Sequence, residues 1–367
     1  MRGSGPVGVG VIGAGTISEQ YLANMRTFPD LDVRIVADLR PEAARRQAET
    51  FGVPASGTVE QLLADADVEL VVNLTIPAAH AEVAAAALGA GKHVWNEKPI
   101  TADLASGEAL VARADAAGLL LGSAPDTFLG PGLQTVRRLI EAGAIGTPLT
   151  ASAVMQYAGP HRWHPNPDFL YLAGAGPLFD MAPYYLTALS QTFGAVTRVA
   201  ARAASAGPTR TIATGPRAGE EIAVAVPTYV AALYDFADGR VAQATFSFDS
   251  PLRRTGVVEI AGSDATIVAP DPNRFGGTIV IDRGGEEPES IPVTGVEGGR
   301  GIGAVDMARA IRAGGRHRAT GRLALHVLDA MLATAASAER DAFVTVASRF
   351  EPIPALPAGW DPTERTL

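Results

Sequence analysis

Thirty side chains of this 367-residue sequence are lysine or arginine, and only two of them, Lys92 and Lys98, are lysine. Arginine is a planar fork that keeps its proton under ordinary conditions. Lysine is a compact ammonium that burial or neighbouring charge can bring within reach of proton transfer. Lys92, between Gly91 and His93, reads as a surface residue. Lys98 stands in Glu97-Lys98-Pro99, directly after the apolar run His93-Val94-Trp95-Asn96, where a buried strand would deliver a reactive group to its carboxyl end. A second constellation lies in Gly174-Ala175-Gly176-Pro177-Leu178-Phe179-Asp180-Met181-Ala182-Pro183-Tyr184, a glycine-rich approach to a helix on which Asp180 and Tyr184 share a face. By residue type alone, Asp180 serves equally as a helix cap and Tyr184 as core, and Pro183 is acceptable only in the first helical turn. Between these segments runs His161-Arg162-Trp163-His164-Pro165. Trp163 offers a flat face for a sugar ring and His164 a donor for its hydroxyls. His161 and His164 have no third partner in the sequence, so no metal is expected.

A further site is spelled by Gly13-Ala14-Gly15-Thr16-Ile17-Ser18, which follows one expected strand and opens one expected helix. Gly13 and Gly15 permit a tight turn and let backbone approach a pyrophosphate, while Thr16 and Ile17 begin the helix whose N-terminus faces it. Ser18 replaces the usual third glycine. Asp38, followed by Leu39, ends the second expected strand, where a carboxylate accepts from the adenosine ribose hydroxyls and repels a 2′-phosphate. NAD is therefore expected in preference to NADP, with Arg40 as the opposing signal. Thr75, Pro77 and His80, at the end of the fourth strand and the start of the next helix, fall beside the expected cofactor path, as does Glu97. Asp126 and Thr127, beyond the sixth strand, fall near the same end without an evident role.

The elements that must position these groups follow from apolar patterning. Short Val/Ile/Leu runs at 7–12, 33–37, 70–74, 94–96 and 119–121 alternate with Ala-rich helical stretches at 18–27, 41–51, 59–64, 78–90 and 102–117, as buried parallel strands and crossover helices do. This predicts a doubly wound Rossmann domain over residues 1–124. A helix at 131–142, a strand at 149–157 and a Pro-rich loop at 159–176 open a second domain, 125–367. In it, strand-like runs at 229–236, 241–248, 257–261 and 278–281, bounded by turn residues, predict an open, mostly antiparallel β-sheet. The fold class is α/β plus α+β. Two late helices are expected at 304–313 and 323–340. The outer sheet face needs a cover, so a homodimer or homotetramer is expected.

Composition narrows the partners. A net charge of −9 argues against a nucleic-acid surface, and the lack of cysteine removes thiol chemistry. No apolar run approaches a membrane span, and Met1-Arg2-Gly3-Ser4 leads directly toward a strand, so a cytoplasmic protein of small-molecule substrates is expected.

Taken together, Gly-x-Gly at the first turn, Glu97-Lys98-Pro99 after the fifth strand and Gly-x-Gly-x-Leu-x-Asp before a helix resemble the Gfo/Idh/MocA oxidoreductases along nearly the whole chain. The resemblance implies an NAD(P)-dependent dehydrogenase or reductase of a sugar, polyol or cyclitol. It implies that Lys98 and Asp180 lie beside the nicotinamide and the reacting hydroxyl, with Asp180 orienting the ammonium. Most members have His four residues after that Asp, and Tyr184 stands here, as in glucose-fructose oxidoreductase and the dimeric dihydrodiol dehydrogenases. Lys98, Asp180 and Tyr184 are thus expected to be catalytic, and Trp163 and His164 to bind substrate beside them. Two other functions fit the same chain: NAD-dependent, redox-assisted glycoside cleavage, and a non-catalytic dinucleotide sensor.

Overall fold

A computed structural model describes residues 3–367; Met1 and Arg2, the first residues of the stretch expected to lead into the first strand, lie outside it. The chain runs β1 (Val7–Ile12), α1 (Thr16–Met25), β2 (Leu31–Ala37), α2 (Pro41–Phe51), β3 (Ala55–Gly57), α3 (Val59–Ala64), β4 (Leu70–Asn73), α4 (His80–Gly89), β5 (His93–Asn96), α5 (Leu104–Ala117) and β6 (Leu121–Ser123). There follow α6 (Pro131–Glu141), β7 (Pro148–Gln156), α7 (Gly176–Phe193), β8 (Val196–Ala204), β9 (Thr209–Thr211), β10 (Glu221–Ala223), β11 (Tyr229–Phe236), β12 (Val241–Ser247), β13 (Arg254–Gly262), β14 (Thr266–Ala269), β15 (Ile279–Asp282) and β16 (Glu289–Ile291). The chain closes with α8 (Ile302–Ala313), α9 (Gly321–Arg340) and β17 (Val344–Thr345). Packing divides these elements into two compact units.

The first unit holds the described chain up to Gln134 together with Thr294–Leu328 and Pro352–Leu367. Its six strands pair in parallel in the order β3-β2-β1-β4-β5-β6, the doubly wound arrangement expected. β1 and β4 are buried along their whole length, which is why they read as unbroken apolar runs. The helices carry their own punctuation. Thr58 and Gln61 form a reciprocal capping box on α3, Asp103 caps α5, and α2 and α5 end at left-handed Gly52 and Gly118. β3 is short and polar, with no apolar alternation to announce it. The expected single cut at 124/125 leaves out the return of 294–328 and 352–367 to this unit, where Asp30 accepts from Arg309, Thr366 and Leu367.

The second unit comprises Thr135–Val293 and Asp329–Glu351. Its nine-stranded sheet has the order β16-β15-β14-β13-β7-β12-β11-β8-β17. Only β7 and β12 pair in parallel, so the sheet is mostly antiparallel, as expected. Along β11, Val230, Ala232, Tyr234 and Phe236 point inward while Tyr229 and Leu233 are exposed, the period of two that one buried face imposes. α7 packs on β7, β11 and β12. One expectation is corrected here. Pro183 is not in the first turn of α7 but in its interior, and Asp180 is an interior residue rather than a cap, because the helix already begins at Gly176. Proline at 183 removes an intrahelical donor to the Phe179 carbonyl and crowds it; burial of most of the helix sustains it there.

Candidate active site

In the first unit, the predicted cofactor residues gather at the carboxyl edge of the sheet. Gly13 turns at φ +105°, and a Cβ there would stand 2.6 Å from the Leu74 carbonyl, so the close passage of the two strand ends requires glycine. Gly15, the N-cap of α1, differs: nothing lies within 4 Å of where its Cβ would be, and no side chain caps the helix. A helix start with no side-chain cap suits a phosphate group. Asp38 accepts from the Ala14 N–H at 2.8 Å and from the Arg40 N–H at 2.8 Å. Burial pushes its carboxyl up, but these donors and the Arg40 charge outweigh it and hold it below the usual range. It is therefore an anion at the carboxyl end of β2. The Arg40 guanidinium stays largely in solvent, 3.5 Å from Asp38. Leu39 is 95% exposed and Ile76 68%, two apolar side chains left open just beyond the ends of β2 and β4. Ile76 was not anticipated from sequence, although its neighbours Thr75 and Pro77 were.

Behind this edge lies a buried polar network. The Thr75 N–H and hydroxyl donate to Asn73 Oδ1 at 3.2 and 2.7 Å, Asn73 Nδ2 donates to Asn96 Oδ1 at 2.8 Å, and Asn96 Nδ2 to the Ile100 carbonyl at 2.9 Å. His80 is buried with Nδ1 2.6 Å from the Pro99 carbonyl and Nε2 3.0 Å from that of Thr75. Glu97 accepts from Tyr21 at 2.8 Å and from the Lys98 N–H at 2.9 Å. The backbone of Glu97-Lys98-Pro99 is thus tied on both sides, and His80 and Glu97 give their polar atoms to holding it. Pro77 opens a short 3-10 turn, and its backbone carbonyl accepts the N–H of His80.

Asp126 gains a structural role that the sequence did not disclose. Its Oδ2 accepts from Gly301 and Gly303 at the start of α8, at 2.7 and 3.3 Å, while its Oδ1 and the Thr127 hydroxyl are buried without a hydrogen-bond partner. Burial pushes the carboxyl up, against the Arg300 charge and the Gly301 donor, to about 6. Tyr21 is likewise pushed up by burial and by Glu97, so it remains a proton donor.

In the second unit, α7 holds Asp180 half-buried and Tyr184 5% exposed one turn later, on one face as the spacing predicts. The loop before α7 is braced by its own bonds. His161 Nδ1 lies 2.7 Å from the Tyr171 hydroxyl, and Arg217 grips both oxygens of Asp168 at 2.6 and 3.0 Å. His164 Nδ1 accepts the Asn166 N–H at 3.0 Å, which leaves Nε2 as the donor of the neutral ring. Trp163 stands edge-on to His164 at 5.5 Å and is 58% exposed. Tyr157, absent from the sequence-based site, packs its ring edge-on against Phe248 at 5.2 Å, and burial, with the charge of Asp180, pushes its phenol up. The signal available was its position, an aromatic residue at the carboxyl end of β7.

A doubly wound parallel sheet with a glycine turn after its first strand, together with a second, α+β unit, defines the chain as a two-unit, Rossmann-type protein. Residues 7–124 match the oxidoreductase family model with an NAD-binding Rossmann fold, and residues 133–268 match the GFO/IDH/MocA C-terminal domain. The chain belongs to the Gfo/Idh/MocA family. It is 34% identical over 196 residues to the dTDP-3,4-didehydro-2,6-dideoxy-alpha-D-glucose 3-reductase of Actinomadura kijaniata, covering 52% of this chain and 57% of that one. Over 189 residues it is 29% identical to the trans-1,2-dihydrobenzene-1,2-diol dehydrogenase of Mus musculus, covering 51% and 56%. The chain thus spans little more than half the length of these relatives. Its fold is that of levoglucosan dehydrogenase in complex with NADH, with a TM-score of 0.80 at 23% identity over 94% of this chain and all of that one.

Proposed function

We propose that this protein is an NAD-dependent dehydrogenase or reductase that moves a hydride between the nicotinamide and a hydroxyl-bearing carbon of a sugar, polyol or cyclitol. The observation that carries the reading is the carboxyl edge of the parallel sheet, where Gly13, Asp38, Thr75 and Lys98 all follow strand ends and the Lys98 backbone is braced by buried bonds. When bound, the nicotinamide supplies the hydride acceptor or donor. Gly13 and Gly15 admit the pyrophosphate, Thr16 and Ile17 donate to it, Asp38 takes the ribose hydroxyls, and Leu39 lies against the base. Thr75, Pro77 and His80 line the path with Glu97 holding Lys98. Lys98 stabilises the alkoxide that develops as hydride departs, and Tyr184 relays the hydroxyl proton, releasing its own phenol proton to solvent as it accepts that of the substrate, with Asp180 keeping the reacting group oriented. Trp163 carries the ring of the substrate and His164 donates to it. NAD is favoured over NADP because the anionic Asp38 repels a 2′-phosphate. Tyr229, Leu233, Val241 and Phe343 are exposed apolar residues of the second unit, a surface for a homodimer or homotetramer.

The test is formation of reduced nicotinamide with NAD, then NADP, across aldoses, inositols, polyols and glycosides. Turnover with one group of sugars and a preference for NAD is the expected result. Release of aglycone without net reduction would replace it with glycoside cleavage, and cofactor binding without either reaction would leave a sensor.

A further inference from the structure

Tyr21 lies in α1, five residues after Thr16 and so about 7.5 Å along the helix from the end that faces the proposed phosphate site. Its side chain is fully buried, and its hydroxyl stands between two groups of opposite hydrogen-bonding character. The indole Nε1–H of Trp95 can only donate, and it reaches the Tyr21 oxygen at 3.3 Å. The Glu97 carboxylate accepts, so the phenol proton points to its Oε1 at 2.8 Å. The other carboxylate oxygen, Oε2, accepts the backbone N–H of Lys98 at 2.9 Å. Trp95 has no room to swing away. A Cβ on Gly303 would stand 2.0 Å from its ring and one on Gly122 2.9 Å, so the indole is wedged between α8 and β6. Burial, with the charge of Glu97, pushes the Tyr21 phenol up and keeps its proton in place. A phenylalanine would fill the same volume with no polar atom to desolvate; what the hydroxyl adds is this line of bonds from α1 to the Lys98 backbone.

From this line of bonds we infer that Tyr21 is a positioning residue for Lys98, acting through Glu97, and that it ties the placement of the lysine to the helix that takes the cofactor phosphate. The inference rests on the dehydrogenase reading, in which Lys98 stabilises the developing alkoxide. Without the hydroxyl, Glu97 Oε1 loses its donor from α1 and the carboxylate is free to turn. The main chain at Lys98 follows, because Oε2 holds its N–H. A misplacement on the order of 1 Å at a reacting group lowers the rate by about 100-fold, so loss of this tether belongs in kcat rather than in KM.

The experiment uses Tyr21→Phe, which keeps the ring and its packing and removes the hydroxyl alone. With whichever sugar of the panel turns over, it should lower kcat by about 10- to 100-fold while KM and NADH affinity stay within about threefold of wild type. In a Lys98→Met background the same substitution should cost less than about threefold, because the group it positions is gone. A full loss in that background overturns the inference, as does a wild-type kcat in Tyr21→Phe. A second readout needs no turnover. Lys92 and Lys98 are the two lysines of the chain, so enzyme carrying lysine labelled at its backbone nitrogen gives one amide resonance for each, and Lys98→Met identifies them. Tyr21→Phe should move the Lys98 resonance and leave that of Lys92 in place. An unmoved Lys98 resonance overturns the inference whatever the enzyme turns over. If no sugar reacts and the Lys98 resonance still moves, the tether stands and the dehydrogenase reading falls. Should Tyr21→Phe fail to fold, Glu97→Gln replaces it: the substitution leaves one acceptor where the carboxylate had two, and both readouts keep their meaning.

Discussion

In the proposed mechanism the two units contribute by different means. In the first, the groups that matter are backbone atoms and strand ends, backed by a buried chain of side-chain bonds from Asn73 and Asn96 through His80 to Pro99, and by Glu97 with Tyr21. In the second, they are side chains on one face of α7 and on a loop braced at its margins by His161–Tyr171 and Arg217–Asp168. A cofactor is the same in every turnover, so its site tolerates a rigid frame in which most polar atoms already have partners. Substrates differ between relatives, and a site made of projecting side chains can change residue by residue without disturbing a sheet, as Tyr184 in place of the usual His illustrates.

That contrast gives graded predictions. The largest effect belongs to the proposed proton and charge carriers. Lys98→Met and Tyr184→Phe should each lower kcat by about 100- to 10,000-fold, and steady-state assays showing turnover within a few-fold of wild type for either would remove that residue from the mechanism. NADH binding, followed by fluorescence titration, should survive Tyr184→Phe, since the cofactor frame belongs to the other unit.

Gly13→Ala strikes that frame directly. A Cβ 2.6 Å from the Leu74 backbone, at φ +105°, should destabilise the protein by about 1–3 kcal/mol and weaken NADH binding at least tenfold. Alanine at Gly15 meets no protein atom, so Gly15→Ala should leave the melting temperature unchanged while still weakening NADH. Equal losses of stability in both variants would mean that the two glycines do not differ as their surroundings imply.

Asp126 gives the most specific effect, confined to one pH range. Its folded value of about 6 lies above the ordinary 3.8, so the folded state binds this proton more tightly than the unfolded chain does. The resulting stabilisation is fully present below pH 3.8 and is lost as pH rises through 6, a change of about 3 kcal/mol. Urea unfolding of Asp126→Asn between pH 4 and 7 should therefore show a flatter profile than wild type, with the variant relatively more stable at pH 7. Parallel profiles would show that Asp126 is not a buried, uncompensated charge.

Much of this protein is legible without its structure. The strands β1, β4 and β5 announce themselves because burial on both faces demands continuous apolar runs, and Gly13-Ala14-Gly15 with Asp38 at the next strand end follows from the reach of a dinucleotide along a sheet edge. Asp180 and Tyr184 share a face because a helix repeats every 3.6 residues. These are local rules, and a sequence obeys them locally. Other features answer only to contacts between residues far apart in the chain. β3 carries no apolar alternation and exists because β2 offers it an edge. Pro183 sits inside α7, against its local preference, because packing on the sheet sustains the helix around it. Residues 294–328 return to the first unit because Asp126 receives the start of α8, a bond across 175 positions. Tyr157 reads as one aromatic residue among several until Phe248, 91 positions on, packs edge-on against it. The sequence by itself determined the long apolar strands and the faces of the helices, whose forces act between near neighbours. Tertiary structure alone decided which distant polar groups share a buried space, because desolvation and charge depend on distance through space and not along the chain.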